Sequence, residues 1–174
     1  MRVGFVVQST LLVLTIAAAG CALVYTEPAD PLSRAAFAGD LTRVRALVAA
    51  GTNTAALGTA LQWAARGGHS AGPHRCGYQL PDRPALVRAL LDAGAPVDVP
   101  DGRVASTLGS SGWTPLHVAL HHSQFDIATV LLERGADPQR KSDQGITPAE
   151  MARVAHAPEA LMQRLTARPT GARR

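Results

Sequence analysis

The stretch GWTPLHVALHHSQF, Gly112 to Phe125, sets His117, His121 and His122 at spacing i, i+4 and i+5. On a helix the first two share a face one turn apart, a spacing that suits a metal site or an acid–base pair. A second group of ligand types, His69, His74 and Cys76, lies in HSAGPHRCGYQLPD with H-x4-H-x-C spacing. Structural zinc takes four ligands in tighter, paired spacing, so this group would need a further donor from elsewhere. Gly72, Pro73, Gly77 and Pro81 make the segment read first as a surface loop. The alternative function it would carry is that of a metal-binding or redox accessory protein. His121 and His122, being adjacent, diverge by about 100° on a helix and are poor joint ligands for one ion. The expectation is therefore no metal and no cofactor. The chain contains no G-x-S-x-G, H-E-x-x-H or phosphate-cradling glycine loop, and the expectation is that it is not an enzyme.

The elements that hold these residues follow from an internal repeat. GWTPLHVALHHSQFDIATVLLERGADPQ resembles the ankyrin repeat at Thr114, Pro115, Leu116, His117, Ala119, Leu131, Leu132, Gly135, Ala136 and Asp137, with Ser123 and Gln124 in place of the usual Gly-His. Gly145-x-Thr-Pro follows Gly112-x-Thr-Pro by 33 residues, the period of that family. Leu32 precedes Gly51 by the same nineteen residues that separate Leu116 from Gly135. Leu61 precedes Gly94 by 33, or nineteen once a 14-residue insertion is removed.

A physical check is independent of the motif. Stacked helix pairs approach closely where the inner helix is small, and five residues on from Asp30, Thr59, Thr114 and Thr147 come Ala35, Ala64, Ala119 and Ala152. Val44/Leu47/Val48, Val87/Leu90/Leu91 and Ile127/Val130/Leu131 form the i, i+3, i+4 stripe of a buried second helix. The expected fold is all-α, an ankyrin-repeat α-solenoid of about four helix-turn-helix repeats with short finger turns, over 30–165. The repeats are placed at roughly 30–58, 59–101 (with the insertion 69–82), 112–144 and 145–165, ahead of a basic tail at 166–174.

The resemblance implies roles. His117 becomes a scaffold residue that ties neighbouring turns. His121 and His122, with the matching Phe37 and Arg66, fall on the family's variable recognition surface, and Trp113 is expected exposed beside them on the concave groove. Arg103, in the long loop 102–111, extends that surface. Trp63 falls at a framework position and is expected in the core. The implied activity is protein–protein interaction.

Composition narrows the partner and the compartment. Lys+Arg exceeds Asp+Glu by only 17 to 13, and the arginines are dispersed. A surface that tracks a phosphate backbone is denser, so nucleic acid is not an expected partner. MRVGFVVQSTLLVLTIAAAGC has a positive start, an apolar run and small residues before Cys21, the order of a secretory signal. Its end resembles a bacterial lipobox, which implies a signal peptide at 1–20, lipidation of Cys21 and a tether at 21–29. Cleavage after Ala19 and retention of Val3–Tyr25 as an anchor are the alternatives. Each places the repeats outside the cytoplasm, most simply in a periplasm. Cys21 and Cys76 are the only cysteines, too few for a disulfide framework. The expected molecule is a monomeric, membrane-anchored lipoprotein that binds a protein partner. A toxin is the more specific expectation, which would make the chain an immunity protein, and an envelope enzyme is the other.

Overall fold

A computed structural model of the chain describes residues 28–67, 82–100 and 112–167. All but one of its helices begin where the sequence supplies a cap or a proline. The first, α1 (Pro31–Ala38), has Asp30 accepting from the Ser33 N–H at 2.7 Å, and α2 (Leu41–Ala49) has Asp40 accepting from the Arg43 N–H at 2.9 Å. Next come α3 (Thr54–Arg66), capped by Asn53, and α4 (Arg83–Asp92), with a proline in its first turn. In α5 (Pro115–His121) and α7 (Pro148–Val154) threonine caps a proline-led helix, and the third helical residue reaches back to complete a capping box. The remaining helices are α6 (Phe125–Glu133) and α8 (Glu159–Thr166).

These eight helices, with no strand among the described residues, stack in two layers. The inner layer runs α1, α3, α5, α7 and the outer layer α2, α4, α6, α8, each helix touching its pair and its neighbours within the layer. Ala35, Ala64, Ala119 and Ala152 are all buried, three of them completely. With only a methyl group at each crossing, the inner helices can pack closely. Between the layers lie Val44, Leu86, Leu90, Leu116, Ile127, Leu131 and Leu165, each 0–1% exposed. Burial of one such side chain stabilises the stack by roughly 1.5–3 kcal/mol.

Connections use left-handed residues. Gly51, Gly94 and Gly135 take φ of +87° to +93° just past the outer helices. The turn from α1 to α2 uses Gly39 at φ 78°, while the turns from α5 to α6 and α7 to α8 use Ser123 and His156 at φ 55° and 54°.

The first helix of the second repeat begins earlier than its threonine implies. Thr59 does not begin its first helix: α3 starts at Thr54, and the Thr59 hydroxyl donates to the Ala55 carbonyl from inside it. The physical reason is local. Asn53 supplies a cap, Ala55, Ala56 and Leu57 are strong helix formers, and Ala60 stands where the other repeats have the proline that forces a start. The first-repeat segment ending at 58 therefore cuts through α3.

Repeats are tied by their polar groups as well. The ring of His117 accepts at Nδ1 from the Thr114 N–H (3.2 Å), so the proton sits on Nε2, which donates to the Ile146 carbonyl at 3.1 Å. One finger is joined to the next by the Asp98 carboxylate, which accepts from the Asp137 N–H at 3.1 Å. His117 is completely buried and belongs to the scaffold.

Candidate protein-binding face

Phe37, Arg66 and His121 each lie near the C-terminal end of an inner helix, five residues past Leu32, Leu61 and Leu116 respectively. The stack brings these ends side by side. The ring of Phe37 meets that of Trp63 edge-on at 5.4 Å between centroids. One turn further along α3, the Arg66 guanidinium lies 5.4 Å from the centre of the same Trp63 ring. The Arg66 charge in turn bears on His121 across to α5, and His121 contacts Trp113 and His122, each at 4.9 Å between centroids. Two clusters of rings and cations, Phe37–Trp63–Arg66 and Trp113–His121–His122, thus lie on neighbouring inner helices.

The sequence-derived residues Phe37, Arg66, Trp113, His121 and His122 come together in these clusters, but not all as expected. Trp113 is 7% exposed, so it is not an open anchor on the groove. Its ring packs under His121 and its carbonyl accepts from buried Gln62 at 3.0 Å, which seats the residue in the stack. The Trp113 Nε1–H is buried without an acceptor. Trp63 is buried, as its framework register implies, yet its neighbours are Phe37 and Arg66, and it is the link that joins α1 to α3 in the first cluster. The signal for that was present: Trp63 lies three residues before Arg66, hence on the same helix face.

His121 keeps an exposed side while its ring covers Trp113. Partial burial, and after it the Arg66 charge, hold its pKa below the ordinary 6.5, so the ring is mostly neutral at pH 7. The two histidines stand with their rings at 87°, and the described residues contain no group of three or more metal-ligating side chains able to hold an ion.

Arg83 supports the first cluster from below, and sequence reasoning missed it. Its side chain is 1% exposed and donates to the Phe37 carbonyl at 2.6 Å and the Ala64 carbonyl at 3.2 Å. One cation thus satisfies the C-terminal ends of α1 and α3, where backbone carbonyls and the helix dipole favour positive charge. Burial lowers its pKa to about 10, and it stays charged at neutral pH. The available signal was register: Asp40, Arg83 and Gln124 each lie eleven residues before Gly51, Gly94 and Gly135.

Arg103 and the rest of the 102–111 loop lie outside the described residues, as do Cys21 and the 1–20 segment, His69, His74 and Cys76 of the insertion, and 168–174 of the tail. Among the described residues no helix is long and apolar enough to cross a membrane.

A two-layer stack of helix pairs with polar ties from finger to finger defines an all-α repeat protein. Residues 32–142 match the family described as ankyrin repeats, in three copies, and the chain belongs to that family. The chain is also similar to parts of curated proteins. It is 40% identical over 70 residues to the 2-5A-dependent ribonuclease of Homo sapiens, which is 40% of this chain and 8% of that protein. It is 43% identical over 54 residues to the Ankyrin repeat and MYND domain-containing protein 1 of Mus musculus, 31% of this chain and 6% of the relative. With the BTB/POZ domain and ankyrin repeat-containing protein NBCL of Lotus japonicus it shares 39% identity over 70 residues, 40% of this chain and 13% of the relative. Each likeness covers a small part of a much longer protein. What the family supports for this chain is a domain for protein–protein interaction.

Proposed function

We propose that the chain is a protein-binding module of the bacterial cell envelope, holding its partner against the C-terminal ends of α1, α3 and α5. The observation that carries this reading is the pair of side-chain clusters on neighbouring inner helices, Phe37–Trp63–Arg66 and Trp113–His121–His122. Their rings are locked by mutual contact and their backbone by rigid helices, so little freedom is lost when a partner docks. Arg103, from its place in the sequence ahead of Trp113, is proposed as a further partner contact. The envelope location rests on the N-terminal sequence, with Cys21 lipidated and the repeats standing in the periplasm as a monomer. The more specific reading is an immunity protein that neutralises a periplasmic toxin.

Affinity capture from the native envelope tests the face. The intact chain is expected to retain a partner that His121→Glu with Phe37→Ser loses and that the outer-face change Arg45→Gln retains. Equal capture by all three would refute the inner face as the site. Co-expression with candidate periplasmic toxins tests immunity through restored growth. Unchanged processing and membrane association of Cys21→Ala would refute lipidation.

A further inference from the structure

Arg83 stands in the first turn of α4, in the outer layer, yet its side chain reaches into the inner one. It is 1% exposed, and its two terminal nitrogens donate to the Phe37 carbonyl at 2.6 Å and the Ala64 carbonyl at 3.2 Å. One acceptor belongs to α1 and the other to α3. Phe37 is itself a member of the first cluster, and Ala64 follows Trp63 directly and precedes Arg66 by two residues. A single guanidinium therefore joins the backbones of the two helices whose side chains build Phe37–Trp63–Arg66.

For stability alone such a residue is a costly choice. Burial lowers its pKa to about 10, the mark of a desolvated charge, and buried ions can often be replaced by apolar side chains without loss. What an apolar side chain or a single amide lacks is the planar fork, whose donors point in fixed directions and so set the separation of two acceptors. Ala35 and Ala64, both buried, let α1 and α3 pack closely, but methyl groups do not fix how one helix end sits against the other. The rings of Phe37 and Trp63 start from those two helices and meet edge-on at 5.4 Å and 80°, a contact that depends on the offset between the ends. We propose that Arg83 is a positioning residue of the binding face: its fork fixes the ends of α1 and α3 against each other and so sets the Phe37–Trp63 pair in the arrangement that meets the partner. The inference rests on the inner-face reading above.

The test uses the full chain with Arg83→Gln, Arg83→Lys and, as a control for stability, Leu131→Ala at a completely buried position in α6. Two readouts are followed where every variant is folded. One is the set of Phe37 ring-proton NMR signals, which the ring current of Trp63 displaces. The other is the yield of a photo-crosslinker at exposed Ala38 with the native envelope partner. Arg83→Gln is expected to move the Phe37 signals and to lower crosslinking at least fivefold. Arg83→Lys keeps the charge at the helix ends but not the fork, and is expected to recover stability relative to Arg83→Gln while both readouts stay displaced. Leu131→Ala, although destabilising, is expected to leave the signals in place and crosslinking within twofold. Unmoved signals in both Arg83 variants, equal movement in Leu131→Ala, or full recovery of the signals by Arg83→Lys would each overturn the proposal. If Ala38 captures the partner while the signals stay flat, the face stands and only the part given to Arg83 is refuted. If the signals move as expected but only an outer-layer crosslinker captures the partner, the inner-face reading fails and the proposal falls with it.

Discussion

Gln62 and His117 occupy the same place in successive repeats, each one residue past the shared leucine, and each ties its repeat to the finger that follows. Gln62 Nε2 donates to the Trp113 carbonyl at 3.0 Å, and His117 Nε2 donates to the Ile146 carbonyl at 3.1 Å. Those two carbonyls belong to the residues just before Thr114 and Thr147, so one geometric bond is built from two side chains. Ser33 holds the place in the first repeat, where its hydroxyl is buried without a partner.

The shared geometry makes a prediction for His117. Burial holds its folded pKa below the ordinary 6.5, so the unfolded chain takes up the proton first. Stability is then full above about pH 6.5 and falls as the pH drops through and below that value. Protonation would also turn Nδ1 into a donor facing the Thr114 N–H. His117→Gln is expected to retain the bond to Ile146 and to flatten the acid limb of the stability curve. His117→Ala should cost about 2–4 kcal/mol at neutral pH through the lost bond and the cavity. Urea denaturation between pH 5 and pH 8 reads both.

Arg83 is a second structural cation. Arg83→Gln shortens the side chain and releases the Phe37 carbonyl, the partner at 2.6 Å. A hydrogen bond from a charged donor is worth about 1.5–3 kcal/mol, and a loss of that order is expected in thermal or urea unfolding. A larger cost is expected for Arg83→Glu, which places a carboxylate against two helix C-termini.

Glycine at 112 is required by both backbone and space, whereas glycine at 135 is required by backbone alone. Gly112 has φ +74° and an added Cβ would lie 2.3 Å from the Asp143 carboxylate, whereas Gly135 at φ +87° has open space around it. Gly135→Ala should cost about 1–2 kcal/mol for the left-handed conformation, and Gly112→Ala distinctly more. Conversely, Ser123→Gly relieves a residue held at φ 55° and is expected to stabilise the chain by about 0.5–1 kcal/mol. Midpoints of urea unfolding check the order.

Glu133 touches Arg88 and Arg164 at 3.8 and 3.7 Å, joining three outer helices, but it is about half exposed. Solvent and salt screen such contacts. Glu133→Gln is expected to lower stability by less than about 1 kcal/mol, with the difference vanishing in high salt.

Much of this organisation was legible in the residues. The 33-residue spacing of the two Gly-x-Thr-Pro segments, the alanines at the crossings and the stripes of the second helices place four helix pairs in order, and His117 in the scaffold. The start of the second repeat's first helix was less legible, because Thr59 mimics a cap that Asn53 supplies six residues earlier. Trp113 is a different kind of miss. Its register puts it next to His121, but whether a large ring at a finger tip stands in solvent or folds under its neighbour depends on the space between α3 and α5.

The sequence by itself determined the unit and its repetition, since caps, prolines, small crossing residues and apolar periodicity act within a few residues of one another. Only the tertiary structure decided which groups from different repeats meet: Phe37 with Trp63, Gln62 with the Trp113 carbonyl, and Arg83 with two helix ends at once. Those contacts depend on the offset between one stacked helix pair and the next, and that offset arises from packing across repeats, where no local pattern reports it.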